Sequence, residues 1–514
     1  MKKVWLVLLV LNVFILASCS GAYDGYNSLY DGYVEDQNTE GYDEIIENTF
    51  INTEDMPVST FSADVDTASY SNVRRFLEDG TMPYKDAVRI EEMINYFTYD
   101  LEGPSENEAI HVTSELSTAP WNENHQLLML GLKTEDIVYE ESAGMNLVFL
   151  LDVSGSMNSY DKLPLLKEAF ALLLDQLRPS DVISIVVYAG AAGVVLEGAD
   201  VTDKDAIYEA LDNLQAGGST AGGEGINLAY KVAERNYIEG GNNRIILATD
   251  GDFNVGISSV SALEDLISEK RDSGVFLSVL GFGTGNLKDN TMESLADHGN
   301  GVYYYIDGVK EAEKVFVHEL GASLVTVAKD VKLQIEFNPA SVKGYRLIGY
   351  ENRVLSYDDF SDDTKDAGDM GAGHSVIAFY EIIPADSSET IETKTFDIPE
   401  TLRYTGENYL NEYANLQIRY KDPNSDTSML IEHQTLSTSF TDNPSETFRF
   451  ASAVVEFGLL LRDSSYKYQS SYQHVIDMAN QSLGDDTYGY RHDFVELVGM
   501  AKRIAESLGQ NSAD

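Results

Sequence analysis

Cysteine is almost absent from this chain of 514 residues: there is one, Cys19. A lone thiol excludes an intrachain disulfide and a zinc site built on cysteine ligands. Basic residues are scarce too, 35 Lys and Arg against 85 Asp and Glu, for a formal net charge of −50. Nucleic acid and anionic membrane faces are recognised through Lys and Arg clusters, so this balance argues against both as partners. The apolar run Val4 to Leu16 is too short for a comfortable spanning helix, which needs about 20 residues. Catalytic signatures are missing as well. Gly281-Phe282-Gly283-Thr284-Gly285-Asn286 lacks the Lys-Ser/Thr of a phosphate-binding loop and reads as tight packing where a strand meets a turn. His318-Glu319 has no second His at zincin spacing. Asp250-Gly251-Asp252-Phe253-Asn254 starts like an EF-hand, but Ser261 stands where a bidentate Glu is needed. The loops around Asp152 and Ser219 carry no Gly-x-Ser-x-Gly, and no nucleophile–base set emerges.

What is present describes an exported, globular chain. Hydrophobic residues make up 43% and aromatics 10%, a composition that folds, at a length that calls for two or three domains. Lys2-Lys3, the apolar run and Leu16-Ala17-Ser18-Cys19 resemble a secretion signal ending in a bacterial lipobox. That resemblance implies cleavage after residue 18, lipidation of Cys19, and a stable membrane anchor from several acyl chains on one residue. Residues 19–56, acidic and rich in Tyr and Gly, read as a solvated tether in which Tyr23-Asp24-Gly25-Tyr26 recurs as Tyr30-Asp31-Gly32-Tyr33. An N-terminal region over 57–142, an α/β domain over 143–328 and a β-then-α region over 329–514 complete the expected organisation.

In the N-terminal region, Asp66 or Thr67 is placed to cap a helix running to Leu77, and Asp86 to cap a second. Phe61-Ser62-Ala63 makes a poor buried strand, so Asp64 and Asp66 read as turn and capping residues. From residue 143 the pattern alternates. The apolar run Asn146 to Leu151 reads as a buried parallel strand, and apolar strands at 181–188, 243–249, 275–282 and 302–306 are separated by helical stretches. A long final helix is expected over Gly308 to Ala328. This is a doubly wound, mainly parallel α/β sheet of Rossmann-like type. The strands before and after it can pair with each other, which would make the α/β domain an insertion into a β-sandwich.

Ligands bind at the carboxyl ends of strands in such sheets. Asp152-Val153-Ser154-Gly155-Ser156 follows the first strand there, and the alternation can turn three hard oxygens toward one point, which suits Mg²⁺. The loops Gly217 to Gly223 and Ala248 to Asp252 leave the same edge and add Thr220 and Asp250. Asp152, Ser154, Ser156, Thr220 and Asp250, in that order on three loops, resemble the metal-ion-dependent adhesion site of the von Willebrand factor type A family. The resemblance implies Mg²⁺ (with Mn²⁺ or Ca²⁺ as alternatives) approached by the hydroxyls of Ser154, Ser156 and Thr220. Asp152 and Asp250 would act partly through water. An open position would accept an Asp or Glu carboxylate from a protein partner.

The segments Thr60 to Leu77, Glu91 to Phe97, Glu336 to Pro339, Tyr345 to Arg353 and Gly371 to His374 resemble bacterial YfbK-type lipoproteins over roughly residues 57 to 510. These features imply a membrane-anchored, extracytoplasmic, non-enzymatic protein-binding lipoprotein for adhesion or envelope scaffolding. An envelope hydrolase with its chemistry in the C-terminal region, and a metal that serves only as a structural staple, are the competing expectations.

Overall fold

The computed structural model describes residues 39–509 except 107, 137–142, 220–221, 252–258, 320–323, 400, 405–408, 410, 424 and 426. Cys19, the leader before it and residues 20–38 of the expected tether lie outside the described residues.

Every residue of the strand Met145–Asp152 is buried. Alternate side chains serve two cores, as the period of two requires. Leu147, Phe149 and Leu151 meet the helix Leu163–Leu174 on one face. Val148 and Leu150 meet the helix Gly222–Arg235 on the other. The sheet runs in the order Tyr303–Ile306, Phe276–Phe282, Asn242–Thr249, Met145–Asp152, Val182–Tyr188 and Ala192–Asp200. The first five strands are parallel and the last is an antiparallel edge. Chain order reverses between Met145–Asp152 and Asn242–Thr249, so the crevice beyond their carboxyl ends is the topological switch point.

Two antiparallel sheets are built from chain on both sides of this α/β unit. In one, Asn122–Thr134 pairs with Ser375–Pro384, Phe379 standing opposite Met129. In the other, Val58–Ser62 pairs with Thr326–Phe337, Leu333 standing opposite Phe61. Leu128, Leu130, Val376 and Ala378 of the first share a core with Leu333, Ile335, Leu416 and Ile418 of the second. The α/β unit is therefore inserted into a β-sandwich. The outer face of the first sheet, through Leu127, Met129 and Phe379, packs on the helices Ala68–Glu78, Ile90–Asn95, Glu446–Leu461, Tyr472–Asn480 and Tyr490–Ser507. Among the described residues, no helix is long and apolar enough to cross a membrane.

Several local expectations are corrected. Val58–Ser62 is a strand despite its serines, because it is paired on both edges and Phe61 is wholly buried. Thr67 is the N-cap of Ala68–Glu78 but makes no side-chain cap bond. Asp86 lies in a 3₁₀ turn, and the second helix begins at Ile90 after Arg89. Asp66 is no cap: it accepts hydrogen bonds from Tyr303 N at 2.7 Å and Arg353 at 3.1 Å. The long helix over 308–328 is instead a short helix Val309–Glu313 and a π-turn Lys314–His318, followed by the strand Thr326–Phe337. Its β-branched start pairs more favourably in the sheet than it would extend a helix. Residues from Thr39 onward, which composition assigns to the tether, lie against the folded unit. Glu40 pairs with Arg75 at 3.0 Å, and Ile51–Asn52 adds a strand to the first sandwich sheet.

Candidate metal centre

The strand Met145–Asp152 delivers Asp152 to the switch point, where its carboxylate is fully buried. One oxygen accepts Ser154 N–H at 2.8 Å, which folds the chain back on itself. The other accepts the Thr249 hydroxyl at 3.2 Å. The turn continues as a 3₁₀ segment Gly155–Asn158. It brings the Ser154 and Ser156 hydroxyls to 3.0 Å from each other, Ser154 buried and Ser156 exposed. Ser154 is the N-cap of this segment but makes no side-chain cap bond. The next helix starts only at Leu163, and its N-cap, Lys162, makes no side-chain cap bond.

Asp250 follows the neighbouring strand and is also fully buried. It is held by the side chains of Asn286, Lys162 and Ser156. Asp152, Ser154, Ser156 and Asp250 thus converge. Thr220 lies outside the described residues, but the loop leading to it is tied to the same place. Gly217 N donates to Val153 O at 2.8 Å and Gly155 N donates to Gly218 O at 3.1 Å. Gly218 has φ +87° and a Cβ there would stand 3.2 Å from Gly190 N, so only glycine lets this loop close over the site.

Two participants carry no sequence signal of their own. The Lys162 ammonium lies 3.0 Å from Asp250 Oδ2 and 2.8 Å from Asn286 Oδ1. Its stem crosses Gly283, where a Cβ would stand 2.1 Å from Lys162 Cε. The tight packing expected for the Gly281–Asn286 loop is real, and it serves to thread this lysine to Asp250.

The electrostatics of the two carboxylates differ. Burial pushes Asp152 up to about 6, against the hydrogen bonds from Ser154, with the Asp250 charge adding to the rise. Burial acts upward on Asp250 too, yet Asn286, Lys162 and Ser156 hold it below the ordinary carboxylate range. Two hydroxyls and two carboxylates form a hard-oxygen donor set, and Lys162 offsets one of the two negative charges. That chemistry fits Mg²⁺, and equally Mn²⁺ or Ca²⁺.

The von Willebrand factor type A domain model matches residues 146–317, and a model described as von Willebrand factor matches residues 36–129. A model described as the C-terminal part of the uncharacterized protein YfbK matches residues 322–504. The uncharacterized protein YfbK of Escherichia coli (strain K12) is 42% identical over 488 residues, covering 92% of this chain and 83% of that protein. An uncharacterized Synechocystis protein, sll0103, is 28% identical over 198 residues, 38% of this chain and 46% of its own. Among solved structures, a von Willebrand factor type A protein from Catenulispora acidiphila is similar over 74% of this chain and 89% of its own, with 17% identity and a TM-score of 0.44. With a type A domain at its centre and a near-full-length relative in Escherichia coli, the chain belongs to the YfbK family of bacterial von Willebrand factor type A proteins.

Proposed function

We propose that this chain is a metal-dependent protein-binding lipoprotein of the bacterial envelope, anchored through Cys19, whose α/β domain grips an Asp or Glu of a protein partner. The observation that carries the reading is the convergence of Asp152, Ser154, Ser156 and Asp250 at the switch point of the sheet. Type A domains are in general non-enzymatic interaction modules, which supports binding over catalysis.

The roles of the chain's own residues follow from their contacts. Ser154 and Ser156 would present hydroxyls to a divalent ion, and Thr220 would join them. Asp152 fixes the turn through Ser154 N–H, and Asp250 orients Ser156. A bound ion would supply a positive charge with a coordination position open to an anionic oxygen. Because the direct donors would be mostly neutral, that charge would be only partly offset, which favours a carboxylate over water.

The test is twofold. Mg²⁺ binding to the purified chain is measured by calorimetry, and partners are captured by crosslinking on intact cells. Asp152→Ala should abolish the calorimetric signal, and both Asp152→Ala and chelation with EDTA should remove the captured partner. Capture that survives both while chelation lowers the melting temperature would leave the metal as a structural staple and sink the adhesion reading.

A further inference from the structure

The loop between the strand Phe276–Phe282 and the helix Asp289–His298 carries Asn286. The Asn286 side chain accepts Lys162 Nζ at 2.8 Å and hydrogen-bonds Asp250. The loop also abuts the turn that follows Asp250, since a Cβ on Gly251 would stand 2.5 Å from Lys288 N. Gly285, the residue before Asn286, has φ +86°. A glycine in that region brings no stiffness of its own, so the position of Asn286 must be set from outside the loop.

It is set by a stretch distant in sequence, Thr39 to Gly41, which lies alongside in a parallel bridge with Gly41 opposite Lys288. Thr39 N–H donates to Gly285 O at 2.8 Å, and Gly41 N–H donates to Leu287 O at 2.9 Å. Gly285 N–H in turn donates to Glu40 Oε1 at 2.9 Å. Both backbone groups of Gly285 and the carbonyl of Leu287 are thus bonded to three consecutive residues, which bracket Asn286 on either side. The Lys288 ammonium closes on Thr39 O.

Glu40 is the fixed point of this arrangement. Its side chain is 1% exposed. Arg75 donates to its two oxygens at 3.1 and 3.0 Å, and the Tyr42 hydroxyl donates to it at 2.9 Å. Arg75 is held in turn on the helix Ala68–Glu78, its guanidinium 4.1 Å over the Phe76 ring. Burial works against the Glu40 charge, but Arg75 and Gly285 N–H hold its carboxyl below the ordinary range. A charge-assisted bond from a carboxylate locked in this way is among the stronger ones available to a loop amide. An unbroken path of contacts therefore runs from Arg75 through Glu40, Gly285 and Asn286 to Asp250.

We infer that Glu40 is a positioning residue of the candidate metal centre, setting Asn286 and through it Asp250, and that metal binding and the seating of Thr39 to Gly41 on this loop favour each other. The inference rests on the metal-binding reading proposed above. Such a linkage runs both ways. A bound ion fixes the segment on the anchor side of the chain, and loss of that segment's grip on Gly285 weakens the hold on the ion.

The test is calorimetric titration of the purified chain with MgCl₂, after stripping with EDTA and removal of the chelator. Glu40→Ala should weaken binding at least about fivefold, the lower end of couplings between sites. Glu40→Gln keeps an oxygen for Gly285 N–H and should restore most of the affinity. His125→Gln, a change within the sandwich, should leave Mg²⁺ affinity unchanged, which separates positioning from general loss of stability. In the wild type, Mg²⁺ should also slow hydrogen exchange severalfold in a peptide covering residues 39–43, and Asp152→Ala should show no slowing. That measurement needs no substitution at Glu40, and exchange indifferent to Mg²⁺ would overturn the inference. So would Glu40→Ala with wild-type affinity while Asp152→Ala abolishes binding, a result that leaves the metal centre standing. A wild type that binds none of Mg²⁺, Mn²⁺ and Ca²⁺ would overturn the metal centre and the inference together.

Discussion

At Lys162 an ammonium 3.0 Å from Asp250 and 2.8 Å from Asn286 stands where the candidate centre would otherwise present its full negative charge. A unit charge at such a distance is worth about 5–6 kcal/mol at an effective dielectric near 20, before solvent screening and relaxation of the loop reduce it. Lys162→Met keeps most of the stem that crosses Gly283 and removes the charge. Mg²⁺ should then bind about tenfold more tightly in calorimetry at low salt, a gain of roughly 1.4 kcal/mol. Weaker binding would instead make Lys162 the residue that holds Asp250 in place. Asp152, Ser154, Ser156 and Asp250 are legible in the sequence because each follows a buried strand directly, so strand ends alone bring them together. Lys162 and Asn286 are not, since an isolated lysine before a helix and an asparagine in a glycine loop read as solvated residues. What joins them to Asp250 is the close approach at Gly283, a tertiary fact.

Strand pairing places an ion pair between sheet neighbours in the sandwich. His125, on Asn122–Thr134, meets Glu381, on Ser375–Pro384, at 2.6 Å, and Glu381 also meets Arg346 on the next strand at 2.7 Å. Burial works against the His125 charge, but Glu381 and Glu389 prevail and raise it above its ordinary 6.5. Burial likewise opposes the Glu381 charge, and His125 and Arg346 hold it below its ordinary 4.5. The raised histidine contributes stability that is fully present below pH 6.5 and is lost as pH rises through its folded value. The depressed glutamate contributes stability present above pH 4.5 and lost as pH falls through its folded value. The pair therefore contributes most between these two limits. His125→Gln should lower stability by about 1 kcal/mol at pH 6 and by less at pH 9, read from urea midpoints. An equal loss at both pH values would attribute it to packing. The same strands show what sequence reveals about elements. The parallel strands of the α/β unit are continuous apolar runs and are readable alone. Val58–Ser62 is not, because its strand character comes from partners more than 250 residues away in the chain, as Leu333 opposite Phe61 illustrates, and the start of Thr326–Phe337 is held by Gly368–Gly371 and Lys421, which its own sequence does not announce.

Taken as one body, the molecule holds its inserted α/β unit through buried charge as well as through apolar packing. Arg353, from the sandwich, reaches Asp64, Asp66 and, on the helix Asp289–His298 of the inserted unit, Asp297 at 2.6 Å. Arg89, just before the helix Ile90–Asn95, joins Glu92 to Asp289 of the same inserted helix. Asp64 and Asp66 read from sequence as turn and capping residues because their partner lies almost 290 positions away; Asp64 does accept the Asp66 N–H at 3.0 Å. Removing one member of such a network strands the others without a counter-charge, at a cost of about 3–5 kcal/mol. Arg353→Met leaves Asp64, Asp66 and Asp297 in that position while sparing the apolar cores of both parts. In the wild type, Trp121 fluorescence, which reports the core beneath the sandwich, and far-UV dichroism, to which the helices of both parts contribute, should follow one urea transition. In Arg353→Met the midpoint should fall by the equivalent of about 3 kcal/mol or more, and the two signals should separate as the inserted unit lets go of the sandwich. Coincident transitions with an unshifted midpoint would show that apolar packing alone joins the two parts.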